Sequence, residues 1–373
     1  MADDAIGAFD DRRPYPPPVT DLDRHRQLWA DPDRRRADFH LFRPSAAYRE
    51  DLDVLVAGCG TFQSAKHAVC HPGARVTGID VSAASLAHTD ALKRKYSLTS
   101  LDTHLLPIEE VASLGRQFDL IVSTGVLHHL ADPDFGLRAL RSVLKPDGAM
   151  HLMVYAPYGR IGLSMLQDYC RRLGSGTSDQ DVQTLVNALS ALPPRHPLNL
   201  VLAEFKDFKN ADALADPLLN PRERSYSVPE LFDFVERNGL AFGRWYKQAP
   251  YLPEFGAVAA APHAERLAGL ARREQYAAVE LWRGTMATHT FIAYGDEAQR
   301  DTQSIHFSDE RWPFFVPIRL PHTLCVQPRL PPGAAGVLLN QSHSNTDLVW
   351  PIDAWQKRLF DAIDGRRTIA QIL

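Results

Sequence analysis

The feature that most constrains this chain is a short apolar run that ends in two closely spaced glycines. Val54–Ala57 is wholly apolar, and Gly58 and Gly60 follow it directly. Glycine adopts the positive-φ backbone that a sharp strand-to-helix turn requires. The first turn of a helix after such a loop presents free N–H groups to an anionic ligand. We therefore expect a ligand-binding unit of strand, loop and helix at the start of an α/β domain.

A second predicted strand strengthens this prediction. Arg75–Ile79 has the pattern of a strand, and Asp80 follows it, twenty residues after Gly60. An acid at the end of the second strand of such a unit can accept hydrogen bonds from the hydroxyls of a ribose. A helix is predicted between the two strands, over Gln63–Cys70. The whole arrangement predicts a cofactor that contains a nucleoside.

Strand and helix patterns continue to alternate as far as Ala156. This alternation predicts a parallel sheet with helices on both faces. The pattern then becomes more helical, and Ser227 with Glu230 predicts a capping box at a helix start. The other predicted strands are His104–Leu106, Phe118–Ser123, Ala149–Tyr155 and Thr290–Tyr294, and the other predicted helices are Ser82–Tyr96, Phe135–Leu144, Leu163–Leu173 and Ser178–Ala191.

Four stretches in this region, taken together, resemble the class I S-adenosylmethionine (SAM)-dependent methyltransferases. They are VLVAGCGT (54–61), TGID (77–80), FDLIVSTGVLHHLADP (118–133) and LRSVLKPDGAMHLMVY (140–155). Flanking segments at 158–174 and 247–253 resemble a bacterial subgroup of the same enzymes. The resemblance implies a Rossmann-like sheet with helical additions, SAM as the cofactor, and transfer of its methyl group.

The resemblance also implies which residues bind SAM. They lie at the ends of the first four strands and in the loops that follow. They would contact the methionine (amino-acid) part, the ribose and the adenine of the cofactor. The implied residues are Ala57, Gly58, Gly60 and Thr61 for the amino-acid part, Asp80 for the ribose, Val81, Pro107, Ile108 and Glu109 for the adenine, and Thr124 and Gly125 for the methionine part.

Two departures from the family pattern keep an alternative open. Many members carry an aspartate where this chain has Val56, and a glycine where it has Phe62. A protein that binds SAM or its product S-adenosylhomocysteine (SAH) as a sensor or partner subunit, without turnover, is therefore the first alternative. A nicotinamide-dependent oxidoreductase is the second. It has less support, because the third glycine of the dinucleotide fingerprint is replaced by Gln63.

Residues after the fourth and fifth strands are candidates for catalysis and acceptor binding. His128, His129 and Tyr155 are the catalytic candidates, because histidine exchanges a proton near neutral pH, although one histidine of such a pair usually packs locally in this family. Tyr158 and Arg160 are the substrate candidates. Arg160 could hold a carboxylate or a phosphate with its planar fork, or it could close a loop at the surface. We expect no metal site.

Composition divides the chain of 373 residues into three parts. We predict an N-terminal arm with short helices over 1–45, a methyltransferase domain with a helical cap over 46–296, and an extension over 297–373. The extension is rich in Pro, Asp and Ser with little periodicity, and ends in two short helices broken by Asp364-Gly365. It faintly resembles a winged-helix half or peptide-binding module, which suggests docking of a partner.

Charge and cysteine content exclude several classes of function. Basic and acidic residues nearly balance, with a net charge of −4, so we expect no binding of nucleic acid. The chain has no apolar run of about 18 residues and begins with a polar segment, so we expect neither a membrane span nor a signal peptide. Four scattered cysteines without a CxxC pair are typical of the reducing cytoplasm. The expected acceptor is a small molecule or a peptide.

Overall fold

A computed structural model gives the fold of residues 11, 16–199, 202, 217–220, 222–302, 305, 307–308, 310–343 and 345–373. Most of the predicted arm before Pro16 lies outside the described residues. Elements are numbered here along the described chain. The helices are α1 (Asp23–Trp29), α2 (Pro32–Phe42), α3 (Gln63–Cys70), α4 (Ala83–Tyr96), α5 (Pro133–Ser142), α6 (Ile161–Leu173), α7 (Asp179–Leu189), α8 (Val228–Arg237), α9 (Ala264–Ala268), α10 (Arg272–Arg283), α11 (Glu297–Thr302), α12 (Ala354–Ala362) and α13 (Ile369–Ile372).

Seven strands form the main sheet, in the order β3-β2-β1-β4-β5-β7-β6. The first five are parallel to one another, whereas β7 lies antiparallel between β5 and β6. The strands are β1 (Asp53–Ala57), β2 (Arg75–Asp80), β3 (Leu101–Leu105), β4 (Phe118–Thr124), β5 (Leu144–Tyr155), β6 (Ala241–Trp245) and β7 (Thr288–Tyr294).

The apolar run of β1 reflects burial on both faces of the sheet. All five of its residues are buried, which is typical of a central strand in a sheet covered by helices on both sides. Leu55 belongs to the core on one face, and Val54 and Val56 belong to the core on the other. This two-sided core confirms the predicted Rossmann-like α/β fold.

Local signals fixed several helix boundaries correctly. The helix predicted over Gln63–Cys70 has these bounds in the structure. Ser82 precedes α4, and its side chain accepts a hydrogen bond from the Ser85 N–H, as a helix N-cap should. The capping box of Ser227 and Glu230 opens α8.

Several element boundaries differ from the prediction, most clearly at β3, at the end of α5 and at the start of β5, which lies at Leu144 rather than Ala149. β3 covers Leu101–Leu105 rather than His104–Leu106. It is the edge strand and mostly exposed, so it lacks a continuous apolar pattern. The helix predicted over Phe135–Leu144 ends at Ser142, because Leu144 already pairs with Phe118 as the first residue of β5.

The C-terminal extension contains regular structure that the sequence did not predict. Three short antiparallel strands, β8 (Thr323–Val326), β9 (Gly336–Asn340) and β10 (Val349–Ile352), precede the two short helices that were predicted. Their residues are mostly half-buried or exposed, so no alternation marks them. The boundaries at 45 and 296 and the winged-helix resemblance stay predictions. In the described part of the chain, no helix is long and apolar enough to span a membrane.

Candidate cofactor and acceptor site

The strand order locates the candidate site. The chain runs outward from β1 through β2 to β3, and then returns to place β4 on the other side of β1. In open α/β sheets, ligands bind in the crevice at the carboxyl ends of the strands where the order reverses. Here that crevice lies between the loops after Ala57, at the end of β1, and after Thr124, at the end of β4.

The glycine loop after β1 has the tight geometry expected from its sequence. Gly58 has a φ of 71°, and a Cβ atom at this position would collide with the side chain of Val126. The N–H groups of Gly58 and Cys59 donate to the Ile79 carbonyl at 2.9 and 3.0 Å. The loop is therefore fixed between β2 and the end of β4, and Gly58 cannot be replaced without displacing Val126.

Asp80 is brought directly against this loop. Its Oδ2 accepts a hydrogen bond from the Gly60 N–H at 2.7 Å, and its Oδ1 accepts one from the Ser82 N–H at 2.9 Å. Burial raises the pKa of Asp80, although these backbone donors oppose the rise. Each carboxylate oxygen has a second lone pair, so the same side chain can still accept the two ribose hydroxyls.

The predicted adenine residues flank an open surface beside Asp80. Val81 is apolar, yet 44% of it is exposed, whereas Ile108 is buried. Pro107 and Glu109 lie beside Ile108 and are half-buried. Because Val81 is exposed next to Asp80, its side chain offers an apolar face on which a flat base can pack.

The end of β4 carries the two residues predicted to contact the methionine part of the cofactor. The Thr124 hydroxyl donates to Gln63 Oε1 at 3.3 Å, which links β4 to the start of α3. Gly125 has a φ of 82°, and its N–H donates to the Met153 carbonyl at 3.2 Å. Ala57 and Thr61 are fully buried beneath the loop. All eleven predicted cofactor residues thus lie at the carboxyl ends of the first four strands or in the segments that follow them.

A polar cluster lies beyond these loops, at the ends of β4 and β5. We call His128, Tyr155, Arg160 and Glu223 the acceptor-side cluster. The Arg160 guanidinium lies 3.5 Å from the centre of the Tyr155 ring and donates to Glu223 Oε2 at 2.8 Å. The His128 ring packs on Tyr155, with centroids 3.8 Å apart. Arg160 is only 4% exposed, so it neither closes a surface loop nor presents an unpaired charge.

His128 is fully buried, and within the described residues neither of its ring nitrogens has a hydrogen-bond partner. Burial lowers the pKa of His128 well below its ordinary value, and the nearby His129 and Arg160 lower it further. The ring is therefore neutral at pH 7. His129 instead uses Nδ1 in a 2.7 Å contact with the Arg222 carbonyl. Tyr158 lies at the protein surface, with 38% of its area exposed.

Sequence reasoning missed Glu223 and the contribution of the N-terminal arm. Glu223 lies 63 residues after Arg160 in a segment without periodicity, so no local signal connects the two. The arm reaches the site through Pro16, whose carbonyl accepts the Thr61 hydroxyl at 2.7 Å. Its proline-rich sequence indicated only an extended segment.

Comparisons with known proteins agree with this geometry. Residues 55–150 match the family described as a methyltransferase domain. An uncharacterised protein of Synechococcus is 32% identical over 235 residues, which cover 61% of this chain and 56% of that protein. A ubiquinone biosynthesis O-methyltransferase of Rhizobium leguminosarum is 35% identical over 106 residues, 28% of this chain and 40% of that enzyme. The chain thus spans about half the length of the relatives that it matches.

A solved structure extends the likeness to most of the fold. The structure of PKMT2 from Rickettsia typhi in complex with AdoHcy aligns over 93% of this chain and 67% of that one, with a TM-score of 0.59 and 14% identity. At this identity the comparison concerns the fold. Sheet, site and family match define a Rossmann-like SAM-dependent methyltransferase domain. Residues 55–150 are therefore a class I SAM-dependent methyltransferase domain, and SAM is its cofactor.

Proposed function

We propose that this protein transfers the methyl group of SAM to an acceptor bound beside the acceptor-side cluster, by direct displacement at the methyl carbon. The sulfonium of SAM already makes the methyl electrophilic, so the protein mainly has to align donor and acceptor and exclude water. The observation that carries the proposal is the contact of Asp80 with Gly60 beside the reversal of strand order, because it supports a nucleoside site next to a second polar cluster.

The acceptor-side cluster supports an acceptor without a strong negative charge. Arg160 is paired with Glu223 inside the protein, so its charge is already compensated. Neutral His128 has one ring nitrogen that can accept a hydrogen bond, so it can orient a hydroxyl or an amine of the acceptor, whereas its lowered pKa makes it a weak base. The likeness to an O-methyltransferase over the cofactor half supports a hydroxyl acceptor in particular. We propose a small molecule or peptide as the acceptor, and docking of a partner by the extension remains a further proposal.

Two assays on the full chain test the proposal. Calorimetry with SAM, SAH and NADH is expected to show binding of the first two compounds. Transfer from methyl-labelled SAM to a panel of phenols, alcohols, amines, thiols and peptides is expected to yield SAH in proportion to methylated product. Asp80→Ala is the matched inactive control.

Each contrary outcome identifies one alternative. Binding of SAM and SAH without turnover on any acceptor would support the sensor or partner subunit. Binding of NADH without SAM would establish the oxidoreductase and overturn both the cofactor site and the proposed reaction.

A further inference from the structure

A row of small polar side chains lies on the buried face of α4 and its N-cap. Ser82, Ser85 and Thr89 follow one another at helical spacing, so they share one face, and all three are buried. The Ser82 N–H donates to Asp80 Oδ1. The Thr89 hydroxyl, two helical turns further along, donates to the Gly60 carbonyl at 3.2 Å. This face of α4 therefore contacts both the predicted ribose acid and the glycine loop.

The Gly60 backbone is held on both sides of its Cα atom. On one side, its N–H donates to Asp80 Oδ2 at 2.7 Å, which fixes the plane of the preceding peptide. On the other side, its carbonyl accepts the Thr89 hydroxyl, which fixes the plane of the following peptide. Gly60 has a φ of 53°, and glycine has more conformational freedom than any other residue. The two hydrogen bonds together restrict that freedom, and the loss of either lets Gly60 rotate.

The hydrogen bond from Thr89 lies in the protein interior. Thr89 has no exposed surface, and Gly60 is buried as well. A buried carbonyl that loses its donor costs free energy, because water does not replace the bond. Valine would fill nearly the same space as Thr89 without its hydroxyl. Such a substitution removes the hydrogen bond to the Gly60 carbonyl and keeps the packing of α4.

We propose that Thr89 is a positioning residue of the cofactor site, whose hydroxyl holds Gly60 so that the Gly60 N–H fixes the Asp80 carboxylate for the ribose. Asp80 accepts one backbone donor on each oxygen, from Gly60 and from Ser82, so a displaced Gly60 leaves one oxygen free to turn away from the ligand. In this role Thr89 acts through Gly60 and needs no contact with the ligand. The inference rests on the cofactor half of the proposed function and does not depend on which acceptor is methylated.

Two matched pairs of side chains at position 89 test the role of the hydroxyl. Threonine and valine have nearly the same shape and differ in the hydroxyl, and serine and alanine differ in the hydroxyl alone. In calorimetry on the full chain, Thr89→Val is expected to raise the Kd of SAH roughly two- to tenfold, the factor that corresponds to one net hydrogen bond. Thr89→Ala is expected to have a higher Kd than Thr89→Ser, because only serine restores the donor to Gly60.

Hydrogen exchange of the ligand-free protein, followed by mass spectrometry, separates positioning from a general loss of packing. In Thr89→Val, the peptide that contains residues 58–61 should exchange its amide protons faster than in the wild type, because the Gly60 N–H leaves Asp80 more often. The other amides of α4 should exchange as they do in the wild type.

Thr77→Val is the matched control for the same substitution elsewhere in the domain. Thr77 is also buried, but it lies near the start of β2, where its hydroxyl accepts a hydrogen bond from Arg116 rather than from the glycine loop. The Kd of Thr77→Val for SAH should equal that of the wild type.

The outcomes separate the role of Thr89 from the proposed function. An unchanged Kd in Thr89→Val, equal Kd values for Thr89→Ala and Thr89→Ser, or faster exchange along the whole of α4 each overturn the positioning role and leave the cofactor site intact. If Thr89→Val does not fold, the serine and alanine variants decide alone. Binding of SAM without methyl transfer overturns the proposed reaction and leaves the role of Thr89 standing. Failure of the wild type to bind SAM or SAH overturns the cofactor site and the positioning role together.

Discussion

Buried aspartates lie at both ends of the parallel strands, in opposite electrostatic surroundings. We call the end where these strands begin the amino edge of the sheet, and the end where they finish the carboxyl edge. At the amino edge, Lys145 Nζ bridges Asp53 and Asp119 at 2.9 and 2.8 Å, and Arg75 forms two bonds to Asp53. At the carboxyl edge, Asp80 accepts backbone N–H groups, and no basic side chain is paired with it among the described residues. The same residue type therefore has two different roles in one sheet.

The pKa values follow this division. Hydrogen bonding to Arg75 holds the pKa of Asp53 well below its ordinary value, even though burial opposes the shift. Burial also raises the pKa of Asp119, but Lys145, the Asp53 N–H and Arg49 outweigh it, so the net shift is downward. Burial raises the pKa of Asp80. The amino edge uses its acids for stability, whereas the carboxyl edge keeps an acid whose remaining lone pairs are available to a ligand.

The largest expected effect is on the amino edge. Asp119→Ala removes a 1%-exposed carboxylate that pairs with Arg49 and with Lys145, the lysine that also pairs with Asp53. Because Lys145 and Arg49 are partly exposed and keep other acidic partners, losing these charged hydrogen bonds costs about 1.5–3 kcal/mol, which a urea titration measures as a lower free energy of unfolding. Asp102→Ala, at an acid with 65% side-chain exposure, serves as the control and should change stability by less than about 0.5 kcal/mol. A lower SAM affinity of the folded Asp119→Ala variant would contradict the division between the edges.

The next largest effect is expected at the carboxyl edge, where a substitution should weaken cofactor binding more than it lowers the stability of the fold. Asp80→Ala removes the acceptor of the two predicted ribose hydrogen bonds and is expected to weaken SAM binding by at least about tenfold in calorimetry. Its free energy of unfolding should fall less than that of Asp119→Ala, because among the described residues the buried carboxylate of Asp80 has no cationic partner to leave behind. Unchanged SAM affinity would mean that the ribose lies elsewhere.

The smallest expected effect is on how the free energy of unfolding depends on pH. Because the folded-state pKa of Asp53 is depressed, its stabilising contribution is present above the unfolded-state value near 4 and is lost as the pH falls towards the folded-state value. The wild type should therefore lose stability between pH 5 and 3, and Asp53→Asn should show a shallower slope. The difference is at most about 1.4 kcal/mol per pH unit for one proton. Equal slopes in urea titrations would show that Asp53 contributes nothing to the acid sensitivity.

The sequence predicted the carboxyl edge better than any other region because its signals are close together in the chain. Gly58 and Gly60 follow β1, and Asp80 ends β2, the next strand in the chain. Both glycines have a positive φ, which favours their residue type. Glu223 and Pro16 could not be predicted, since their contacts join segments 63 and 45 residues apart without periodicity. The strands of the extension escaped prediction because they are short and only partly buried.

The position of β7 has a consequence for how the chain folds during synthesis. β5 ends at Tyr155, but the strand that pairs with its outer edge begins only at Thr288. At about 5–20 residues per second, a ribosome takes roughly 7 to 27 seconds to make the intervening segment. For that time the five parallel strands present an unpaired edge, which is a template for pairing with other chains. The nascent chain is therefore most prone to aggregation after its cofactor loops have been synthesised and before β7 can pair with β5.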